Sequence, residues 1–447
     1  MNSAVTEPAW VRHAIWWQVY PLGFVGAFPT ADPDEQQSHE PPQPDEHRLR
    51  RLVDWLEHAI ELGASGIALG PVFASRTHGY DTTDHYRIDP RLGDDADFDH
   101  LVAEAHRRGL RVLLDGVFNH VGQDFARYRD AAHDDAAARW FRGRRGRFDT
   151  FEGHSGLITL NHDNPEVADY VVDVMAHWLG RGADGWRLDA AYAVPQRFWA
   201  VTLPRVRERH PDAWFVGELI HGDYAAVVRE ATFDSATQYE LWKAIWSSLN
   251  DGNFFELDWA LQRHNDFLTA FAPLTFVGNH DVTRIASRLG APERVAHALV
   301  LLLTVGGVPS VYAGDELGFR GVKEERYGGD DAVRPEFGSP PVSLDDAGVE
   351  TWRLHQYLIG LRRRYPWLHA AVTTARLLQN RHYVYETRNG DDALLVVLNI
   401  DDEPLRVSLP ELGTARAVVI GGSAAPPQHV VDTVTVEAGG WRILSPA

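Results

Sequence analysis

Short apolar runs rich in β-branched and aromatic residues alternate along this chain with longer stretches whose apolar residues recur at helical spacing. The short runs are AIWWQVY (14–20), GIALGPV (66–72), RVLLDGV (111–117), GWRLDA (185–190), WFVGEL (214–219), PLTFVGN (273–279) and VPSVYAG (308–314), with a weaker one at SATQYEL (235–241). Each reads as a buried strand. The longer stretches, such as RLRRLVDWLEHAIELG, FDHLVAEAHRRGL and VADYVVDVMAHWLGRG, end in or near glycine, as helices do. Eight strands alternating with helices predict parallel pairing and an α/β fold, a (β/α)8 TIM barrel. A doubly wound open sheet is the alternative, but no glycine-rich dinucleotide loop supports it.

Two segments break the rhythm. Residues 121–165 are polar, rich in Arg and Asp and weakly periodic, which predicts a long loop or small subdomain inserted after strand 3 over the barrel mouth. From about residue 371 the pattern turns to short alternating strands, ARLLQNRHYVYETRNGDDALLVVLNI and ARAVVIGG, with RNGDD as a hairpin signal. The expected organisation is therefore a barrel over 1–370 and a C-terminal all-β sandwich over 371–447. The acidic, Pro-rich segment 29–47 reads as a surface loop. The longest apolar run, 298–314, is broken by glycines and Pro309, so it reads as helix, turn and strand rather than a membrane span.

Composition narrows the function classes. The 447 residues carry 43 Lys and Arg against 63 Asp and Glu, a formal charge of −20, which argues against nucleic acid or an anionic membrane as partner. With no cysteine, disulfides, thiol catalysis and Cys-based zinc sites are excluded. The N-terminal residues show no basic segment followed by an apolar run, so a cytoplasmic location is expected. Self-association stays open.

Candidate chemistry gathers at predicted strand ends, where a (β/α)8 barrel builds its active site. In GWRLDAAYAV (185–194) the strand period sends Arg187 and Asp189 to one face and Trp186, Leu188 and Ala190 to the other. Asn119 and His120 close DGVFNH, Glu218 closes the fifth strand, and His280 and Asp281 close the seventh in GNHD. The loop after strand two holds THGYDTTDHY. A lone acid at a strand end is ordinarily a cap, and Arg187 beside Asp189 alone would read as a buried ion pair. Three acids, two histidines and an arginine on strands three, four, five and seven point instead to chemistry on a hydroxylated substrate. Two carboxylates flanking a bond are the minimum for glycoside cleavage.

DGVFNH, GWRLDAA, GEL and FVGNHD resemble, in order, the four signature regions of the α-amylase family, glycoside hydrolase family 13. GYDTTDHYRIDPRLG and GVPSVYAGDELG resemble two further family stretches, and LITLN a degenerate short motif before the fourth strand. The resemblance runs from Ile15 to about Phe319. It implies Asp189 as nucleophile, Glu218 as general acid/base and Asp281 as the acid that grips hydroxyls of the distorted sugar. It implies substrate binding by Tyr80, His120, Arg187, His280 and Arg284, with Tyr80 stacking on the sugar and Arg187 orienting the nucleophile. Attack by Asp189 would form a covalent glycosyl-enzyme and retain the anomeric configuration. An adjacent guanidinium favours the charged nucleophile, and a poorly solvated position near other carboxylates favours the protonated acid.

Within that family, THGYDTTDHYRIDP, GELIH and NHDVTRI are similar to cyclomaltodextrinases, neopullulanases and maltogenic amylases. The implied activity is release of maltose or short oligosaccharides from short linear or cyclic maltooligosaccharides. Ala190 leans this toward α-1,4 bonds without excluding α-1,6. Transglycosylation, isomerisation or exo-acting α-glucosidase action could use the same residues, although Thr77 stands where exo-acting enzymes place an acid. A non-catalytic sugar-binding scaffold would lack Asp189 or Glu218, and both are present. Those subfamilies usually carry an N-terminal β-domain, whereas this sequence begins almost directly at the first barrel strand. The Lys and His that typical α-amylases place after the nucleophile are replaced by Ala191, Tyr192 and Ala193. Asn119 keeps one candidate calcium ligand, which leaves calcium open without a complete ligand pattern, and no other cofactor or metal is expected. Phe24, Phe125, Trp140, Phe141, Tyr192 and Tyr239 are candidates for sugar stacking, and as a group fit a core equally well.

Overall fold

Every predicted strand run forms a strand in the computed structural model, which describes residues 7–27, 47–326, 328–340, 343–424 and 430–447. The Pro-rich segment 29–47 lies outside the described residues apart from His47. The strands are β1 (Trp16–Val19), β2 (Gly66–Leu69), β3 (Arg111–Gly116), β4 (Gly185–Leu188), β5 (Trp214–Gly217), β6 (Ser235–Ala236), β7 (Leu274–Phe276) and β8 (Val308–Tyr312). The weak run at 235–241 yields only two strand residues. Gln238 caps a helix over Tyr239–Asp251, its side chain accepting from the Leu241 N–H, and so ends the strand early. Eight strands in alternation with helices, followed by an all-β C-terminal part, make the fold a (β/α)8 barrel with a C-terminal β-domain.

The chain divides into two compact units, one over 1–237 and 326–343, the other over 238–325 and 344–447. In the first, six parallel strands run in the order β6-β5-β4-β3-β2-β1. Gly66 aligns with Trp16 and Arg111, and Gly185 with Leu113 and Trp214. Parallel neighbours cannot be joined by a tight turn, so helices make the crossings. One spans Asp95–Arg107; Asp94 caps it and Asp97 returns a bond to the cap, a capping box that fixes where the helix begins. Another spans Pro165–Gly180, with Asn164 as cap and proline at the first position, where no amide hydrogen is needed. β4 and β5 are buried throughout, which explains the apolar run of β5 and leaves Arg187 as the one charged residue inside β4. At the start of β4 a Cβ on Gly185 would collide with the Trp214 carbonyl, so glycine is what lets these strands close.

The insertion after β3 has its own small frame. His120–Gly122 pairs antiparallel with Leu157–Thr159, placing His120 opposite Thr159. Phe141 packs edge-on to Tyr128 and Phe148, and the Arg127 guanidinium lies 4.0 Å from the centre of the Trp140 ring.

In the second unit β7 and β8 pair in parallel, Leu274 opposite Val308. The run at 298–314 is a buried helix (Arg294–Thr304), a glycine turn and β8. The C-terminal strands form a five-stranded antiparallel sheet and a two-stranded one. Val384, Leu395 and Val397 from the larger sheet meet Val407, Val434 and Val436 from the smaller in one apolar core. Gly390, at φ 60°, opens the two-residue hairpin turn between Asn389 and Asp392, where a primed turn places glycine. No described helix is long and apolar enough to cross a membrane.

Candidate active site

Asp189 and Glu218 each stand one residue beyond the end of a parallel strand, β4 and β5. Arg187, two residues before Asp189, shares its face and lies in register with Asp115 of β3. That register makes Arg187 the hub of the first unit. Its Nη1 donates to Asp115 Oδ1 and Oδ2 at 2.8 and 2.9 Å and to Asp189 Oδ1 at 2.9 Å. Its Nη2 lies 2.6 Å from Glu218 Oε1. Ala190 then turns the chain with left-handed backbone, φ 45°, and aims its N–H at Glu218 Oε2, 2.9 Å away. All four charged residues are buried. Burial works against the Asp115 carboxylate and pushes its pKa up in spite of Arg187, while burial opposes and the surrounding carboxylates prevail in holding Arg187 firmly charged.

Tyr80 joins this network, its hydroxyl donating to Asp115 Oδ2 at 3.1 Å with the ring half-buried. Its loop is held by Asp81, which accepts from the N–H and hydroxyl of Thr77. His120 Nε2 lies 3.1 Å from the Tyr80 carbonyl and its Nδ1 3.0 Å from the Asn119 amide nitrogen. These partners assign the hydrogen to Nε2 of a neutral ring, and burial pushes the His120 pKa down to about 3. Phe151, from the insertion, stacks on the His120 ring at 4.7 Å.

The second unit holds the remaining expected residues. Asn279 Oδ1 accepts from the Asp281 N–H at 2.8 Å, and His280 Nε2 lies 3.1 Å from Asp281 Oδ2. His280 is buried, whereas the Asp281 side chain is 30% exposed. Arg284 has a different place. It is 0% exposed, donates to Asp315 Oδ1 at 2.8 Å and lies over the Tyr312 ring. Burial raises the Asp315 pKa to about 6 against the pull of Arg284.

The structure thus brings Tyr80, His120, Arg187, Asp189 and Glu218 together, sets His280 beside Asp281, and turns Arg284 into the core. Asp115 was not singled out by the sequence reasoning. Its signal was the first position of DGVFNH, one strand away from Arg187. Of the six aromatics considered for stacking, Phe24, Phe125, Trp140 and Phe141 are core residues, and only Tyr192 and Tyr239 are partly exposed. Phe24, for example, stacks on Phe337 at 4.3 Å.

Calcium takes six to eight oxygen ligands, with carboxylates prominent. Asn119 lines a cavity of about 470 Å³ together with Arg142, Arg147, Asp149 and Glu152. Two arginines in this lining do not fit a calcium site. Among the described residues, His47, Asp94 and Asp97 are the one acidic or histidine triple close enough to share an ion; there Asp97 already binds Arg50 and the Asp94 N–H.

The family model for the alpha amylase catalytic domain matches residues 47–154 and 139–375. A cyclomaltodextrinase of Geobacillus thermopakistaniensis is 30% identical over 430 residues, covering 90% of this chain and 71% of that protein. Neopullulanase 2 of Thermoactinomyces vulgaris is 33% identical over 348 residues, 72% of this chain and 59% of that protein. The ligand-free structure of a cyclic α-maltosyl-(1→6)-maltose hydrolase from Arthrobacter globiformis matches with a TM-score of 0.81 at 26% identity, over 98% of this chain and 100% of that one.

Proposed function

The chain belongs to the α-amylase family of glycoside hydrolases, and on that premise we propose that it is a retaining, metal-independent hydrolase of α-glucosidic bonds in short linear or cyclic maltooligosaccharides. The named substrates of its relatives, cyclomaltodextrins and a cyclic maltosyl-maltose, support that substrate class. Asp189 attacks the anomeric carbon, and the bond to the leaving sugar breaks as Glu218 protonates the departing oxygen. Glu218 then takes a proton from water, whose oxygen displaces Asp189. Asp281 and His280 hold hydroxyls of the distorted sugar, and Tyr80 gives it a stacking face.

One observation carries the reading: a single guanidinium reaches Asp189 at 2.9 Å and Glu218 at 2.6 Å. A shared cation supports the short separation of a retaining pair, about 5–5.5 Å, over the about 6.5–9.5 Å of an inverting one. It also keeps Asp189 anchored for attack. Proton NMR during hydrolysis of maltotriose tests the mechanism. The α-anomer should appear first; initial formation of the β-anomer overturns retention. Product analysis of γ-cyclodextrin and maltoheptaose tests the substrate class, with maltose and short oligosaccharides expected and glucose alone from the outset pointing to an exo-acting enzyme.

A further inference from the structure

Two large aromatic side chains stand out of one helix in the second unit. The helix spans Phe254–Leu268, and Asn253 caps it by accepting from the Phe255 N–H at 3.2 Å. Phe254, Leu257, Asp258, Leu261 and His264 recur at helical spacing and are buried. Phe255, Trp259, Gln262 and Arg263 share another face. There Phe255 is 50% exposed and Trp259 60%. Single exposed apolar residues are ordinary on a protein surface. Among the described residues, however, these are the one pair of exposed large apolar side chains on a common helix face.

The helix under this face is firmly held. Asn265 gives its Nδ2 to the Thr373 carbonyl at 2.7 Å and accepts from the Thr373 N–H at 2.9 Å. The Tyr383 hydroxyl donates to Asp258 Oδ1 at 2.8 Å, and the Tyr383 ring stacks on Phe254. The Arg263 guanidinium lies over Trp259, 5.3 Å from the ring centre. Glu240 fixes it there, accepting from Nε and Nη2 at 2.8 and 3.0 Å. The rings therefore stand on a rigid base, with planar polar groups at their edge. Four residues apart on a helix, they are spaced about 6 Å along its axis, so consecutive sugar rings of one chain can meet consecutive side chains.

Area and charge decide what covers them. Rings of this size, half-exposed, offer about 200–250 Å² together, whereas a stable protein interface takes about 800 Å² from each partner. The charged groups around them, Glu240 and Arg263, are of the kind that interface cores lack. A formal charge of −20 also sets a second copy of this chain against the first, while a neutral saccharide is indifferent to it. A pyranose ring has an apolar C–H face for an aromatic ring and hydroxyls at its rim for carboxylate, guanidinium and amide groups.

We propose that Phe255 and Trp259 form a surface platform that binds α-glucan chains by ring stacking, a saccharide site made of other residues than those of the candidate active site. The identity of the sugar rests on the proposed function. Arg263, Glu240 and Gln262 hold hydroxyls at the rim of the platform.

The test runs the full chain through native gels with and without amylopectin and follows maltotriose hydrolysis in parallel. Trp259→Ala should lower the affinity for amylopectin, read from retardation, about tenfold and Phe255→Ala about threefold. Both should leave maltotriose turnover unchanged, and Trp259→Phe should keep most of the retardation. Retardation unchanged in both alanine variants overturns the proposal. So does a parallel fall in maltotriose turnover, which would make the rings part of the active site. A sedimentation coefficient that drops from dimer to monomer in the variants overturns it too, since the face would then join two copies. If the unaltered protein leaves maltotriose and γ-cyclodextrin intact, yet Trp259→Ala still loses retardation, the proposed function falls and the platform stands.

Discussion

Arg187 and Arg284 are both buried arginines beside aspartates near strand ends, and they serve opposite ends. Arg187 spreads its guanidinium over Asp115, Asp189 and Glu218 at the open ends of β3, β4 and β5. Arg284 gives its Nη1 to Asp315 beneath an aromatic lid at Tyr312. Three carboxylates around one guanidinium leave the cluster short of positive charge, and burial, with Glu218 nearby, pushes the Asp115 pKa up. Arg284, fully buried between Asp315 and the Tyr312 ring, is closed off from solvent, and the contact becomes a lock on the turn after β8. An arginine–carboxylate contact alone thus says little about role. Position at the strand ends and depth of burial, not the contact itself, separate the two.

The largest expected effect tests the first network at Glu218. Glu218→Gln should bind substrate yet lose at least about a hundredfold in turnover on maltooligosaccharides, the scale of general acid catalysis. Unimpaired turnover would place the acid elsewhere. A sharper contrast comes from replacing each arginine by methionine. Arg284→Met leaves Asp315 buried without its cation and should destabilise by about 3–5 kcal/mol, read from urea unfolding. Arg187→Met should show its loss in turnover, since Asp189 and Glu218 lose their common anchor. Equal losses of stability and turnover in the two variants would erase the distinction.

Smaller effects should follow pH. Burial pushes His120 down to about 3 and His85 and His162 to about 4 in the first unit, and His264 to about 4 in the second. Unfolded imidazoles bind protons near pH 6.5, so between about pH 6.5 and 4 the unfolded chain holds more protons and acidification costs stability. Asp315, raised to about 6, works the other way: the folded state keeps its proton, and stability falls as pH rises from about 4 to 6. The histidines should prevail, giving a lower urea midpoint at pH 4.5 than at 6.5. An unchanged midpoint would mean that these rings are solvated. The smallest effect belongs to chelation. Since Arg142 and Arg147 crowd the cavity beside Asn119, EDTA should leave most of the activity; a loss restored by calcium would contradict that lining.

Local pattern carried much of this. Parallel strands buried on both faces write themselves as short, mostly apolar runs, so seven barrel strands stood out in order and the run at 235–241 only faintly. The strand period placed Arg187 and Asp189 on one face, and the ordered motifs named Asp189, Glu218 and Asp281. What the sequence could not decide were meetings between residues far apart in the chain. Asp115 becomes the third acid of the hub only because β3 and β4 pair in a register that sets it opposite Arg187. Glu152 reaches Tyr192 only because the hairpin from His120 to Thr159 folds the insertion back. Phe24, Phe125, Trp140 and Phe141 carry the composition of a sugar platform, yet packing buries them, and Arg284 shares its charge with Arg187 but is wholly buried. Periodicity is a property of neighbours along the backbone; burial and charge balance are sums over neighbours in space, which tertiary closure alone supplies.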